Sequence, residues 1–333
     1  MKKYHVYAIG NALVDMEFTV DDEFLAEHKI DKGVMTLVDE ETQHRLYNAL
    51  KEHGGKKASG GSAANTIIAV SHFGGKAFYS CKVANDETGD FYVKDLAGAG
   101  VDTNLHKERD SGISGKCIVM VTPDAERTMH TFLGISETVS HQELDEEAIC
   151  QSEYVYLEGY LVSSDSARAA AVKAKQIAEQ NQVKTALTFS DPNMVNFFKD
   201  GLNEMVGNGV DLLFCNRQEA LTWAGVDTID EAAEAIKAVA NSFAITLGAD
   251  GALVYDGEQT HKIASYPTKA IDTNGAGDMF AGAFLYALTH GHDFASAGSF
   301  ASRAAARIVA HFGPRLPADT HREVLSAHGL TTN

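Results

Sequence analysis

The chain has 333 residues and carries 46 Asp and Glu against 28 Lys and Arg, a formal charge of −18. Such a surface repels nucleic acid and anionic membrane, and neither basic runs nor aromatic-basic interleaving occur. The four cysteines, Cys81, Cys117, Cys150 and Cys215, are scattered without a C-x-x-C pair. That spacing excludes a disulfide frame or a zinc site and reads as reduced thiols of a cytoplasmic protein. No apolar stretch approaches the ~18 residues of a membrane span, and no signal-peptide pattern is expected at the start.

The first strand-like run, Val6 to Ile9, leads into Gly10-Asn11-Ala12-Leu13-Val14-Asp15. An Asp placed after a strand can accept paired hydrogen bonds from vicinal hydroxyls, though Asp15 alone also reads as a surface-turn carboxylate. Met16 to Asp39 and Ile113 to Leu133 carry short strands with polar turns and little helix. They are expected to form a small β-rich lid, from insertions at about 16–39 and 113–133, on a single domain spanning 1–333. Between them Gly60-Gly61-Ser62 opens a helix over Ala63 to Phe73, stopped by Gly74-Gly75, and Phe78 to Val83 is a strand. Further strands follow at Tyr154 to Leu157, Thr185 to Phe189, Val210 to Cys215 and Phe243 to Leu247. Helical patterns at Ala167 to Gln180 and Ile229 to Ala240 alternate with them. This alternation predicts an α/β fold with a mostly parallel sheet covered by helices on both faces, whose ligands sit at the carboxyl ends of strands.

The richest stretch comes late, at Ile271-Asp272-Thr273-Asn274-Gly275-Ala276-Gly277-Asp278-Met279-Phe280-Ala281-Gly282. Met279, Phe280, Ala283, Phe284, Ala287 and Leu288 follow helical spacing. The unpaired N–H groups and dipole of that helix start, with bare backbone at Gly275 and Gly277, suit an anion such as phosphate. Asp278 would oppose an anion there unless it takes a proton from an attacking hydroxyl. The bland alternative is an acidic residue favouring the dipole. A dinucleotide fingerprint fails because position 280 is Phe280, and no G-x-x-x-x-G-K-[ST] string occurs.

Asp272 to Asp278, together with Gly60-Gly61-Ser62-Ala63-Ala64-Asn65-Thr66 and Phe73-Gly74-Gly75, resembles the two signatures of the ribokinase-like (PfkB) family of carbohydrate and nucleoside kinases. The resemblance covers essentially the whole chain. It implies a Rossmann-like three-layer sheet flanked by helices, with a small β-rich lid, and ATP and Mg²⁺ as cofactors. A monovalent cation such as K⁺ is left open. Asp278 matches the base that deprotonates the acceptor hydroxyl, and Gly275, Ala276 and Gly277 match the anion hole. Asn216 and Glu219 match the N-x-x-E pair that organises Mg²⁺ and phosphate, Glu219 through water; in isolation they read as a helix cap. Thr246, Gly248 and Gly251 match the nucleotide-binding strand and turn, and Asp272 belongs to the same nucleotide side. Ala295 to Phe312 is expected beside the adenine of ATP.

For the acceptor, the resemblance assigns Asn11, Asp15 and Asn65 to the sugar, with Gly60, Gly61 and Ser62 close to it. Within the family the chain looks most like the adenosine kinases. That places Arg127 near the transferred phosphate, Leu37 and Met129 flanking a nucleobase, and Tyr160 stacking on it. The expected reaction is phosphorylation of a nucleoside 5′-hydroxyl, adenosine to AMP, as in purine salvage. Ser190-Asp191-Pro192-Asn193 and Glu158 depart from this by adding polarity, which keeps a sugar kinase acting on ribose, fructose or a related sugar as the alternative. A non-catalytic nucleoside-binding protein and a dinucleotide-dependent oxidoreductase are weaker rivals. The chain is expected to bind small molecules only, as a monomer or homodimer.

Overall fold

The computed structural model describes residues 2–53, 55–106 and 108–329. Its strands, in chain order, are β1 (Tyr4–Ile9), β2 (Leu13–Thr19), β3 (Met35–Leu37), β4 (Lys56–Gly60), β5 (Ala77–Ser80), β6 (Asp102–Thr103) and β7 (Gly115–Val121). They continue with β8 (Arg127–Phe132), β9 (Ser152–Leu157), β10 (Lys184–Thr188), β11 (Val210–Asn216), β12 (Ala240–Thr246), β13 (Ala252–Tyr255) and β14 (Thr260–Ile263). The larger sheet has the order β14-β13-β12-β11-β10-β9-β1-β5-β6. Pairing is parallel from β12 to β6 and antiparallel at the β13–β14 edge.

Side chains alternate across a strand, so each strand of this sheet feeds two cores. Val6 and Ala8 of β1 join one core with Ile67, Phe284 and Ala301; Tyr7 and Ile9 join the other with Ala171, Leu213 and Ile236. Both faces are therefore covered by helices, which is why the central strands read as nearly unbroken apolar runs. Among the described residues, no helix is long and apolar enough to cross a membrane.

A second sheet, in the order β3-β8-β7-β2-β4, lies over the carboxyl ends of the first. Its strands come from 13–19, 35–37, 56–60, 115–121 and 127–132, so β4 falls outside the two insertions expected from the sequence. The reason is chemical: Lys56-Lys57-Ala58-Ser59-Gly60 lacks apolar alternation because it forms a sheet edge, where lysines discourage further pairing. The 16–39 stretch also holds a helix, Asp22–Glu27, capped by Asp21. The helix Glu40–Leu50 buries Leu46 and Leu50 and packs against β8, covering the outer side of this sheet. Elsewhere the expected helix to Ala240 stops at Ile236, because Ala240 already pairs with Val210 in the sheet, and β5 ends at Ser80 rather than Val83.

Two helices position the chemistry described below. Ser62–His72 starts after Gly61, whose φ is +98°, and Ala276–Thr289 starts after the left-handed Gly275. They pack so closely that a Cβ on Gly282 would lie 2.6 Å from the Thr66 carbonyl oxygen and 2.7 Å from the Ala69 methyl. Gly282→Ala must push these helices apart. Overpacking of this kind costs about 1–3 kcal/mol, more than the helix-propensity gain of about 1 kcal/mol. We expect a lower melting temperature in thermal denaturation; an unchanged or raised one would mean that the helix pair has slack.

Candidate active site

A cavity of ≈ 570 Å³ opens between the two sheets, within the ~300–1,000 Å³ typical of small-molecule sites. Its floor is made by residues at the carboxyl ends of the parallel strands: Asn11 after β1, Glu158 and Tyr160 after β9, Ser190 after β10, Asn216 ending β11 and Thr246 ending β12. Its roof is the inner face of the small sheet, with Leu13, Asp15, Leu37, Cys117, Arg127 and Met129. The first turn of the helix Ala276–Thr289 forms one wall. Of the residues singled out from the sequence, Asn11, Asp15, Leu37, Gly61, Ser62, Asn65, Arg127, Met129, Tyr160, Asn216, Glu219, Thr246, Gly248, Gly275, Ala276, Gly277 and Asp278 all line it.

At the helix start, Gly275 holds φ +73°, and a Cβ there would collide with the Pro314 carbonyl. Gly277 faces open space. Among the described residues, the N–H groups of Gly275, Gly277 and Asp278 have no acceptor, whereas that of Ala276 leans on the Thr273 carbonyl at 3.3 Å. The vacant donors therefore flank Ala276 and do not include it. Asp278 reaches the cavity while its carboxylate accepts from Ser62 Oγ at 2.7 Å and Asn65 Nδ2 at 3.0 Å. Burial raises its pKa above the ordinary aspartate value, and the two hydrogen bonds and the Arg127 charge oppose that rise. A carboxylate held this way is oriented, ionised above its raised pKa and open to a hydroxyl.

The acidic groups around the cavity differ in how far they are already satisfied. Glu158 is buried; its Oε1 accepts from the Asn11 N–H and Nδ2, each at 3.2 Å, and its Oε2 from the Ala63 N–H at 2.7 Å. It locks Asn11 to the start of the helix Ser62–His72, and burial pushes its pKa up to about 7. Asp191 caps the helix Pro192–Phe197 through the Asn193 N–H at 2.7 Å and does not line the cavity. Asp15 is the exception. The residue is 6 % exposed and, among the described residues, its carboxylate accepts no hydrogen bond. Burial, and secondarily the Glu17 charge, hold its pKa well above the usual aspartate range. A buried carboxyl without donors calls for a ligand to supply them.

On the far side, Asn216 and Glu219 form a reciprocal cap and face the cavity together. The Glu219 N–H donates to Asn216 Oδ1 at 2.9 Å, and Glu219 accepts from the Asn216 N–H at 3.0 Å and from Nδ2 at 2.6 Å. The cap reading and the site reading thus hold at once. Among the described residues no cluster of three metal-ligating side chains exists. A single carboxylate already engaged by two donors fits a water-mediated contact to a hydrated Mg²⁺ better than direct coordination.

Three expected residues do not line the cavity. Asp272 is fully buried and spends its oxygens on the N–H groups of Asn274 at 2.8 Å and Gly313 at 2.9 Å, so it shapes the loop instead of meeting a ligand. Gly251 is needed for its own turn, where φ is +93° and a Cβ would strike the Ile263 carbonyl. Gly60 lies beneath Asp15, leaves no room for a Cβ beside that carboxylate, and accepts from the Tyr92 hydroxyl. No residue of 295–312, expected beside adenine, lines the cavity; the helix Phe294–Val309 packs on Ala276–Thr289. Sequence reasoning gave no site role to Glu17, which accepts from Asn274, or to Ser190, whose buried hydroxyl has no partner among the described residues and whose φ is +70°. It also passed over Leu13, Met35 and Leu133 on the roof.

The pfkB family carbohydrate kinase model matches residues 28–321. The adenosine kinase of Saccharomyces cerevisiae is 27% identical over 334 residues, covering 93% of this chain and 96% of that protein. Among solved structures, a probable sugar kinase from Rhizobium etli superposes with TM-score 0.94 at 32% identity, covering 99% of this chain and 100% of the other. The adenosine kinase of Sinorhizobium meliloti superposes with TM-score 0.90 at 33% identity, covering 96% and 99%. With a family match over most of its length, and a fold that follows such relatives nearly end to end, the chain belongs to the pfkB family of carbohydrate kinases.

Proposed function

We propose that the chain is an ATP- and Mg²⁺-dependent kinase that phosphorylates the 5′-hydroxyl of a nucleoside, with adenosine as the preferred acceptor. The observation that carries this reading is the division of a single cavity into a polar end and an apolar slot. At the polar end Asp15 lacks donors, Asn11 is clamped by Glu158, and Asp278 is aimed by Ser62 and Asn65. Ribose hydroxyls satisfy Asp15 and bring the 5′-oxygen to Asp278. In the slot, Leu13, Met35, Leu37, Met129 and Leu133 offer apolar surface and Tyr160 a ring face, which suit a flat purine. A free sugar would leave that surface against water. The two carboxylates that favoured a sugar, Glu158 and Asp191, are already engaged by protein N–H groups.

The reaction is an in-line displacement. Asp278 takes the acceptor proton as the oxygen bonds to the γ-phosphorus, and the bond from that phosphorus to the β,γ-bridging oxygen breaks to release ADP. The vacant N–H groups of Gly275, Gly277 and Asp278 meet the charge that develops on the transferring group, and Arg127 adds a cation from the roof. Magnesium, when bound, offsets the charge of the nucleotide phosphates, with Asn216 and Glu219 holding its water shell. The small sheet acts as a lid that excludes water, which would otherwise accept the phosphoryl group.

In a coupled ADP-release assay, kcat/KM is highest for adenosine, ahead of inosine, guanosine, ribose and fructose; turnover of a free sugar alone would overturn the nucleoside assignment. Met129→Ala, which empties part of the slot, raises KM for adenosine by about tenfold or more while kcat changes little. The pH profile of kcat/KM falls on the acid side as Asp278 protonates, at a pH above its ordinary value of 3.8. Removing a donor with Asn65→Ala raises the Asp278 pKa further and moves that limb to higher pH; a limb that stays in place would remove Asp278 as the titrating base.

A further inference from the structure

The loop that leads into the anion hole is held from outside its own segment. Glu17 lies two residues beyond Asp15 on β2, so both side chains leave the same face of that strand. Asp15 faces the cavity, and Glu17 meets the loop: its Oε1 accepts from Asn274 Nδ2 at 2.9 Å, with both residues buried. Gly313 makes the approach feasible, since a Cβ at that position, φ +112°, would sit 3.0 Å from Glu17 Oε2. The same loop touches the small sheet twice more. Arg127 Nη1 donates to the Thr273 carbonyl at 3.3 Å, and Thr273 Oγ1 donates to the Ala125 carbonyl at 3.4 Å. Nothing in the proton transfer or in acceptor binding requires Glu17. A second carboxylate this close to a phosphate cradle would count against anion binding if it had no other role. Burial pushes its pKa up to about 7, the hydrogen bond from Asn274 opposing that rise.

We propose that Glu17 is a positioning residue: by anchoring Asn274 it sets the Gly275–Gly277 backbone in register with the transferring phosphoryl group. It also ties that register to the strand that carries Asp15, so acceptor binding and phosphate activation share one rigid element. The inference rests on the anion-hole reading of Gly275–Gly277 and is independent of which acceptor is used.

The test compares Glu17→Ala, Glu17→Gln and Asn274→Ala by steady-state kinetics, using whichever acceptor in the panel above turns over best. A panel that turns over only a sugar would defeat the nucleoside reading and leave this comparison intact. Glu17→Gln keeps an oxygen acceptor for Asn274. Glu17→Ala lowers kcat by about tenfold or more while acceptor KM stays within about threefold, since misplacement of a reacting group by about 1 Å is worth on the order of a hundredfold. Glu17→Gln restores kcat to within about threefold of the parent. Asn274→Ala, which cuts the same bond from the other side, reproduces the Glu17→Ala loss, and the double variant is no worse than the poorer single one. If Glu17→Ala does not fold, Asn274→Ala beside Glu17→Gln decides the matter. Parental kcat in Asn274→Ala or in folded Glu17→Ala, a Glu17→Gln variant as slow as Glu17→Ala, or additive losses in the double variant would each overturn the proposal.

Discussion

The structure depends on how an acidic chain keeps carboxylates next to a site for a polyanion. Asp15, Glu158, Glu219 and Asp278 line one cavity, with Glu17 and Asp272 buried behind its wall, and buried carboxylates need partners. The fold answers by giving five of the six their donors in advance. Asp272 takes two backbone N–H groups, Glu158 takes two and a side-chain amide, and Glu219 takes one with a side-chain amide. Glu17 and Asp278 are held by side chains from distant elements. Of the six, Asp15 alone accepts no hydrogen bond among the described residues. The unused helix-start N–H groups and Arg127 then leave donors in the cavity for an anion, despite the chain's formal charge of −18.

This arrangement explains why the two helices matter more than their length suggests. Asp278 rides on one and its two donors on the other, so the direction of its carboxylate is set by helix packing through Gly282 and Ala69. The small sheet supplies the rest: Asp15, Glu17, Met129 and Arg127 all point inward from its strands. The cavity is thus roofed by one sheet laid across the strand ends of another, where parallel α/β sheets place their ligands.

Much of this was legible in the sequence because the relevant signals are local. Apolar runs located the strands of the large sheet, and the Gly275-Ala276-Gly277-Asp278 string located a helix start with unpaired N–H groups and a carboxylate on the cavity wall. What was not legible depended on contacts far apart in the chain. The strand Lys56–Gly60 carries no apolar pattern because it is an edge. Asp272 opens a recognised motif, yet one of its oxygens is taken by the N–H of Gly313, 41 residues away, and the other by the nearby Asn274 N–H. Glu17 pairs with Asn274 across 257 residues, and no spacing rule encodes that. Glu158 looked like added polarity in the acceptor pocket; only its three donors reveal it as a clamp on Asn11.

The most direct test of the account is a single-turnover experiment. Transfer of label from γ-labelled MgATP to adenosine is followed in the parent protein and in Asp278→Asn, with adenosine affinity measured separately by titration. Loss of general-base catalysis predicts that Asp278→Asn binds adenosine nearly as well and transfers at least about a hundredfold more slowly, with AMP as the labelled product in both. Transfer at the parental rate in Asp278→Asn would contradict the assignment of Asp278 as the base and, with it, the reading of the cavity built around that carboxylate.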